Sequence, residues 1–145
     1  MENRKAQAEG ALRNLEKDRQ AIDGLRAQIL TLQADMIHLT ELGYGQPDDP
    51  EGAPSPRVRK LLDEKRELEA KREAKAAHVA QADKVLAAMS EQEQDTLTAI
   101  YCVKIPRGVA IARLGRRLHI SESTVRRINR RALRNFAEGM GYVDK

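Results

Sequence analysis

The chain has 145 residues, of which 33% are charged and 3% are aromatic, with no tryptophan and a single phenylalanine. This composition favours long surface helices over a large packed core and argues against a strand-rich fold. Because Cys102 is the only cysteine, an internal disulfide and a multi-cysteine metal site are both excluded.

Positive charge is concentrated in one part of the sequence. The formal net charge is +4, but residues 104–134 contain ten basic residues and one acidic residue, a local net charge of +9. The remainder of the chain is therefore net negative. Charge concentrated in this way indicates a polyanionic partner for that segment alone.

The first predicted element is a long helix over residues 1–42, in which apolar residues recur at alternating spacings of three and four. Asp18 is a polar interruption of this seam. Such heptads are typical of a coiled coil between chains, and equally of a long helix that packs on its own chain. The seam residues are Leu15, Ile22, Leu25, Ile29, Leu32, Met36 and Leu39.

A loop rich in glycine and proline is predicted over 43–57, followed by a second long helix over 58–89. The acidic residues of the loop lack the ligand spacing of a calcium site. If the second helix folds back on the first, the two form an antiparallel hairpin. The predicted fold is all-α, a long helical hairpin or coiled coil followed by a C-terminal domain over 90–145.

Three short helices are predicted in that C-terminal domain. Ser90 and Glu93 have the spacing of a capping box, which predicts the start of the first helix. Pro106 and Gly108 should end this helix near Lys104. A helix over 109–118, a tight turn and a helix over 122–136 follow. This succession is typical of a helix-turn-helix.

Each position of the two last helices can be assigned a packing role. Gly115 is small enough to allow close approach of the next helix, and Ser121 is a natural N-cap. The apolar face is expected to consist of Val109, Leu114 and Leu118 in the first helix, Ile120 in the turn, and Val125, Ile128 and Ala132 in the second helix.

With that face turned inward, the arginines of the last helix point outward. The first turns of such a helix enter the major groove of DNA, where arginine can contact guanine and glutamate can contact cytosine. Expected base-reading residues are Glu122, Ser123, Arg126, Arg127 and Arg130. Expected phosphate contacts are Arg113, Arg116, Arg117, Ser121, Thr124, Arg131 and Arg134.

From Met89 to Phe136 the sequence resembles region four of bacterial sigma factors. The residues that carry the resemblance are Ser90, Glu93, Gly108, Leu114, Gly115, Leu118, Ile120, Ser121, Ser123, Thr124, Val125 and Ala132. The whole chain resembles small phage-encoded transcriptional activators of the RinA and ArpU type. The resemblance implies a helix-turn-helix that binds double-stranded DNA and can contact RNA polymerase.

Three residues depart from the pattern of that family. Arg113 stands where glutamate is usual, Ala110 replaces a serine or threonine cap, and His119 replaces the glycine of the turn. The last substitution predicts an unusual backbone conformation at His119.

No catalytic or cofactor motif accompanies these features. His38, His78 and His119 lie in three different predicted elements, and no phosphate loop or nucleophile motif is present. We therefore expect a cytoplasmic, non-enzymatic transcription regulator without cofactor or metal, most readily a homodimer, and with no membrane segment. The alternatives are a phage packaging protein of the small terminase type and a coiled-coil adaptor that does not bind DNA. RNA is an alternative ligand of the arginine-rich helix, although stacking aromatics are scarce.

Overall fold

The structure is a computed structural model that describes residues 3–42 and 55–144. These residues form five helices and no strand, which confirms the predicted all-α class with long helices ahead of a helix-turn-helix. The helices are α1 (Asn3–Glu41), α2 (Pro56–Ala87), α3 (Glu91–Tyr101), α4 (Arg107–Leu118) and α5 (Glu122–Met140).

The described residues divide into two compact units. Residues 19–42 and 55–77 form one unit, and residues 3–18 together with 78–144 form the other. Both long helices therefore contribute to both units. The unit that contains residues 90–145 of the predicted domain also includes the beginning of α1 and the end of α2.

In the unit formed by residues 19–77, the later part of α1 lies beside the earlier part of α2. The two segments lie side by side within one chain, since both line the same groove. Ile29 and Val58 are buried there, and the remaining seam residues of α1 in this unit are half-buried. A groove between the two helices is lined by residues including Asp35, His38, Leu39, Lys60, Leu61 and Glu64.

The second long helix begins earlier than predicted. Residues 43–54 of the expected loop lie outside the described residues, but α2 starts at Pro56 instead of residue 58. The hydroxyl of Ser55 accepts a hydrogen bond from the backbone N–H of Val58 at 3.3 Å. A serine N-cap followed by proline in the first helical position favours this start, because that proline needs no N–H partner.

In the other unit the start of α1 belongs to the hydrophobic core. Ala8, Leu12 and Ala82 are almost completely buried, although they lie outside the predicted DNA-binding domain. The carbonyl oxygen of Leu12 accepts a hydrogen bond from the Cys102 thiol at 3.6 Å. The first turns of α1 and the last turns of α2 therefore support the three C-terminal helices.

The boundaries of α3 agree in part with expectation. Ser90 caps the helix, since its hydroxyl accepts from the backbone N–H of Glu93 at 3.2 Å and contacts the Glu93 carboxylate at 3.0 Å. The helix ends at Tyr101, three residues before the predicted end at Lys104. Leu97, Ile100 and Tyr101 lie on its buried face.

The prediction for the inner face of α4 was partly wrong. The helix begins at Arg107, directly after Pro106, because proline is well tolerated at a helix start and not inside a helix. Leu114 is buried as predicted, but Val109 is 42% exposed, because the inward face of the helix carries Ala110 and Ile111 beside Leu114. Ala110 is thus a core residue and does not occupy a cap position.

Candidate nucleic-acid interface

The turn between α4 and α5 is fixed by two backbone hydrogen bonds. His119 has the left-handed conformation (φ 58°, ψ 42°), which confirms the unusual backbone predicted for it. The N–H of Ile120 donates to Gly115 O at 2.9 Å, and that of His119 donates to Arg116 O at 3.4 Å. This is the hydrogen-bond pattern of a Schellman motif, which normally has glycine at the left-handed position.

Gly115 permits the close approach of the turn to α4. A Cβ atom at this position would lie 3.0 Å from the backbone oxygen of Ile120 and 3.7 Å from the side chain of Val125. The predicted close approach is therefore confirmed, and it involves the turn backbone as well as α5.

Ser121 is the N-cap of α5, as predicted. Its hydroxyl accepts from the backbone N–H of Thr124 at 3.1 Å, and the two hydroxyl oxygens lie 2.8 Å apart. Both side chains of this predicted phosphate-contacting pair thus take part in capping. The cap places Glu122 and Ser123 in the first turn of the helix.

The inner face of α5 is confirmed and is longer than expected. Val125 and Ala132 are fully buried and Ile128 is almost so. The helix continues past residue 136 to Met140, and Gly141 ends it in the left-handed conformation (φ 79°). The additional buried residues are Asn129, Leu133, Phe136, Ala137 and Met140.

Two side-chain hydrogen bonds set the orientation of α5 relative to α3. The buried amide of Asn129 donates to the hydroxyl of Tyr101 at 2.9 Å, and the amide of Asn135 donates to the Glu93 carboxylate at 2.8 Å. Burial raises the pKa of Tyr101, an effect that the Asn129 hydrogen bond partly opposes. The Arg13 guanidinium lies over the Tyr101 ring, 5.6 Å from its centre, and so ties α1 to the same contact.

The five predicted base-reading residues all lie exposed on the outer side of α5, within its first three turns. Arg131 and Arg134 are exposed further along the same helix. Within the part of the chain that the structure describes, none of the α5 arginines forms an ion pair. Their charge is therefore not neutralised by neighbouring carboxylates, as a surface that binds a polyanion requires.

The arginines of α4 lie on a different groove from those of α5. Arg113 and Arg117 are exposed and border an apolar groove together with Ala99 and Val103. Arg116 is also exposed, and its Nε donates to the Ala112 carbonyl oxygen at 3.4 Å. The three predicted phosphate-contacting arginines of α4 are thus not gathered into one cluster with Arg130 and Arg134.

Two basic residues near the chain start lie next to α5, and the sequence reasoning missed them. Arg4 and Lys5 of α1 line a cavity together with Arg130 and Arg134. The sequence around Arg4 and Lys5 does not predict that they lie near α5, because heptads alone do not indicate which helix the first turns of α1 pack against.

Among residues 3–42 and 55–144, no group of three or more histidine, cysteine, aspartate or glutamate side chains is arranged to hold a metal ion. None of the helices in these ranges combines the length and apolar character needed to cross a bilayer.

Comparison with known proteins identifies one similarity, and it falls on this interface. Residues 85–136 match the family described as Sigma-70, region 4. Searches of curated proteins and of solved structures each found no significant match. The segment from α2's last turn to Phe136 is therefore similar to a helix-turn-helix family that binds DNA in transcription and is not a family of enzymes.

Proposed function

We propose that this protein is a sequence-specific DNA-binding transcription regulator that reads the major groove with the first turns of α5. The observation that carries this proposal is the exposed, unpaired arginine surface of α5 on a segment similar to sigma-70 region 4. An arginine that reaches guanine O6 and N7 contributes about 1 to 3 kcal/mol of discrimination against a wrong base.

Two roles are proposed for the exposed side chains. The base-reading set is Glu122, Ser123, Arg126, Arg127 and Arg130, since these residues follow the N-cap within three turns. The phosphate-contacting set comprises Arg113, Arg116, Arg117, Ser121, Thr124, Arg131 and Arg134. For Ser121 and Thr124 the capping geometry is compatible with this role, because a capping hydroxyl still has acceptor and donor capacity.

The regulator is proposed to be of the phage-encoded RinA or ArpU type, acting in the cytoplasm of a bacterial or phage-infected cell. The long helices that precede the region 4-like segment support this reading. RNA polymerase is a second proposed partner, because the matched family belongs to the transcription apparatus. A homodimer is the proposed assembly, since two copies of α5 would then read two half-sites.

The test is selection of bound duplexes from a random library by the purified protein, followed by affinity measurements on the selected sequence. Arg126→Ala combined with Arg127→Ala should weaken binding to the selected duplex by about 1 to 3 kcal/mol per base-reading arginine. Binding to a scrambled duplex should fall much less, because phosphate contacts supply non-specific affinity.

The matched control is Arg66→Ala with Lys71→Ala, which removes two exposed charges from α2. It should retain the sequence preference of the wild-type protein. Failure of the library to yield any motif, or an unchanged preference after the substitutions in α5, would show that α5 does not read bases.

A further inference from the structure

A basic cavity lies between the start of α1 and α5, next to the proposed base-reading surface, with which it shares Arg130. Its volume is about 250 Å³, and Leu133 and Ala137 form an apolar part of its wall. Four cationic side chains surround it: Arg4, Lys5, Arg130 and Arg134. The cavity is therefore of a size and charge suited to a small oxyanion.

Arg130 and Arg134 connect this cavity to the reading surface. They are spaced by four residues, as are Arg126 and Arg130, so the three side chains follow one another along a single side of α5. Each step rises by about 6 Å at 1.5 Å per residue. A line of positive charge thus leads from the first turns of α5 into the cavity beside α1.

A carboxylate of the chain already occupies the edge of the cavity. Asp144 Oδ1 accepts a hydrogen bond from the backbone N–H of Arg4 at 3.1 Å, and Asp144 lines the cavity wall. That N–H belongs to the first turn of α1, where no intrahelical acceptor exists. The Arg4 guanidinium itself lies 3.8 Å from the Glu138 carboxylate. This place therefore already holds one carboxylate oxygen of the chain.

We propose that this cavity binds a backbone phosphate of the duplex held by α5, and that Asp144 is an internal competitor for the same position. The inference rests on the proposed function, and it adds α1 to the DNA-binding surface. The side chains of Arg4 and Lys5 attract the phosphate by their positive charge. A phosphate oxygen replaces the Asp144 carboxylate as the acceptor of the backbone N–H of Arg4.

The experiment measures duplex affinity by fluorescence anisotropy at several salt concentrations for two opposing variants. Arg4→Ala with Lys5→Ala should lower affinity about threefold to tenfold, equally for selected and scrambled duplexes, because phosphate contacts carry no sequence information. The slope of log affinity against log salt should become shallower by about one. Asp144→Asn should raise affinity by about twofold to fivefold, because it removes the competing charge.

The control pair Arg66→Ala with Lys71→Ala removes the same amount of charge from exposed positions of α2. It should change affinity less than twofold. An equal loss in the control, or an unchanged affinity in both cavity variants, would overturn the proposal. The helical content and unfolding temperature of each variant show whether a lower duplex affinity comes from loss of folding. Asp144→Asn tests the proposal independently, because a higher duplex affinity cannot come from unfolding.

Two further arms separate this proposal from its neighbours. If the wild-type protein binds no duplex at all, the proposed function and the DNA phosphate as ligand of the cavity are both wrong, whereas duplex binding that neither cavity variant changes overturns the cavity proposal alone. If inorganic phosphate raises the unfolding temperature of the wild type and not of the Arg4 and Lys5 variant, while duplex affinity is the same for both, the cavity binds free anions. That result contradicts a DNA phosphate as its ligand.

Discussion

At the scale of single residues, the interface depends on how closely the turn after α4 approaches the helix. His119 adopts a left-handed conformation that disfavours most side chains, although histidine is among the more tolerant residues. Gly115 leaves room for the Ile120 carbonyl. Together these residues determine the angle at which α5 leaves the turn, and so the direction in which its arginines point.

Gly115→Ala is expected to destabilise the unit that contains the helix-turn-helix by about 1 to 3 kcal/mol. The added methyl group would lie 3.0 Å from a backbone oxygen in a turn fixed by hydrogen bonds, so its neighbour cannot move away freely. Gly10→Ala is the matched control, because the added methyl group meets no described atom within 4 Å beyond its chain neighbours and the backbone of its own helix. Since alanine favours helix, we expect it to stabilise by about 0.5 to 1 kcal/mol. Urea unfolding followed by circular dichroism measures both, and a stabilising Gly115→Ala would contradict the close approach.

At the scale of elements, local sequence patterns predicted the features that depend on residues close together in the sequence. Such patterns predict the N-cap at Ser121, the left-handed conformation of His119 and the buried face of α5 to which Val125 belongs. All three are present in the structure. The placement of the α1 start was not predicted, because the same heptads suit any helical partner. Burial of Leu12 depends on which surface it meets, and residue spacing does not specify that surface.

Leu12→Ala tests the contribution of α1 to the DNA-binding unit. Leu12 is 1% exposed, so its truncation should cost about 2 to 5 kcal/mol. The expected consequence is faster amide hydrogen exchange throughout α5, although Leu12 and α5 are more than a hundred residues apart in sequence. Val103→Ala is the control, since this side chain is 43% exposed in the same unit and its truncation should have little effect. Unchanged protection of α5 in Leu12→Ala would show that α1 does not support it.

At the scale of the whole molecule, the excess of positive charge and the long apolar seam lie in different segments of the chain. The positive residues collect between 104 and 134, whereas the seam of α1 is buried within the chain at Leu15 and Ile29 and half-buried elsewhere. For the proposed dimer, we expect pairing through a more exposed face of α1. Leu30 and Ile37 are 58% and 61% exposed and lie seven residues apart, as neighbouring contacts of one helix with another do.

We expect Leu30→Glu with Ile37→Glu to convert the proposed dimer into a monomer, as measured by light scattering, without loss of helical content. Introducing charge into that exposed stripe costs nothing in the isolated chain but places like charges opposite one another in a symmetric pair. Ile29→Glu is the contrasting variant, because Ile29 is 5% exposed and an unpaired carboxylate there should unfold the surrounding part of the long helices. The monomeric variant should then bind a single half-site and lose the affinity that two linked sites provide. If the doubly substituted protein is still a dimer, the contact between copies lies elsewhere. If the wild-type protein is a monomer, no palindromic DNA site is needed.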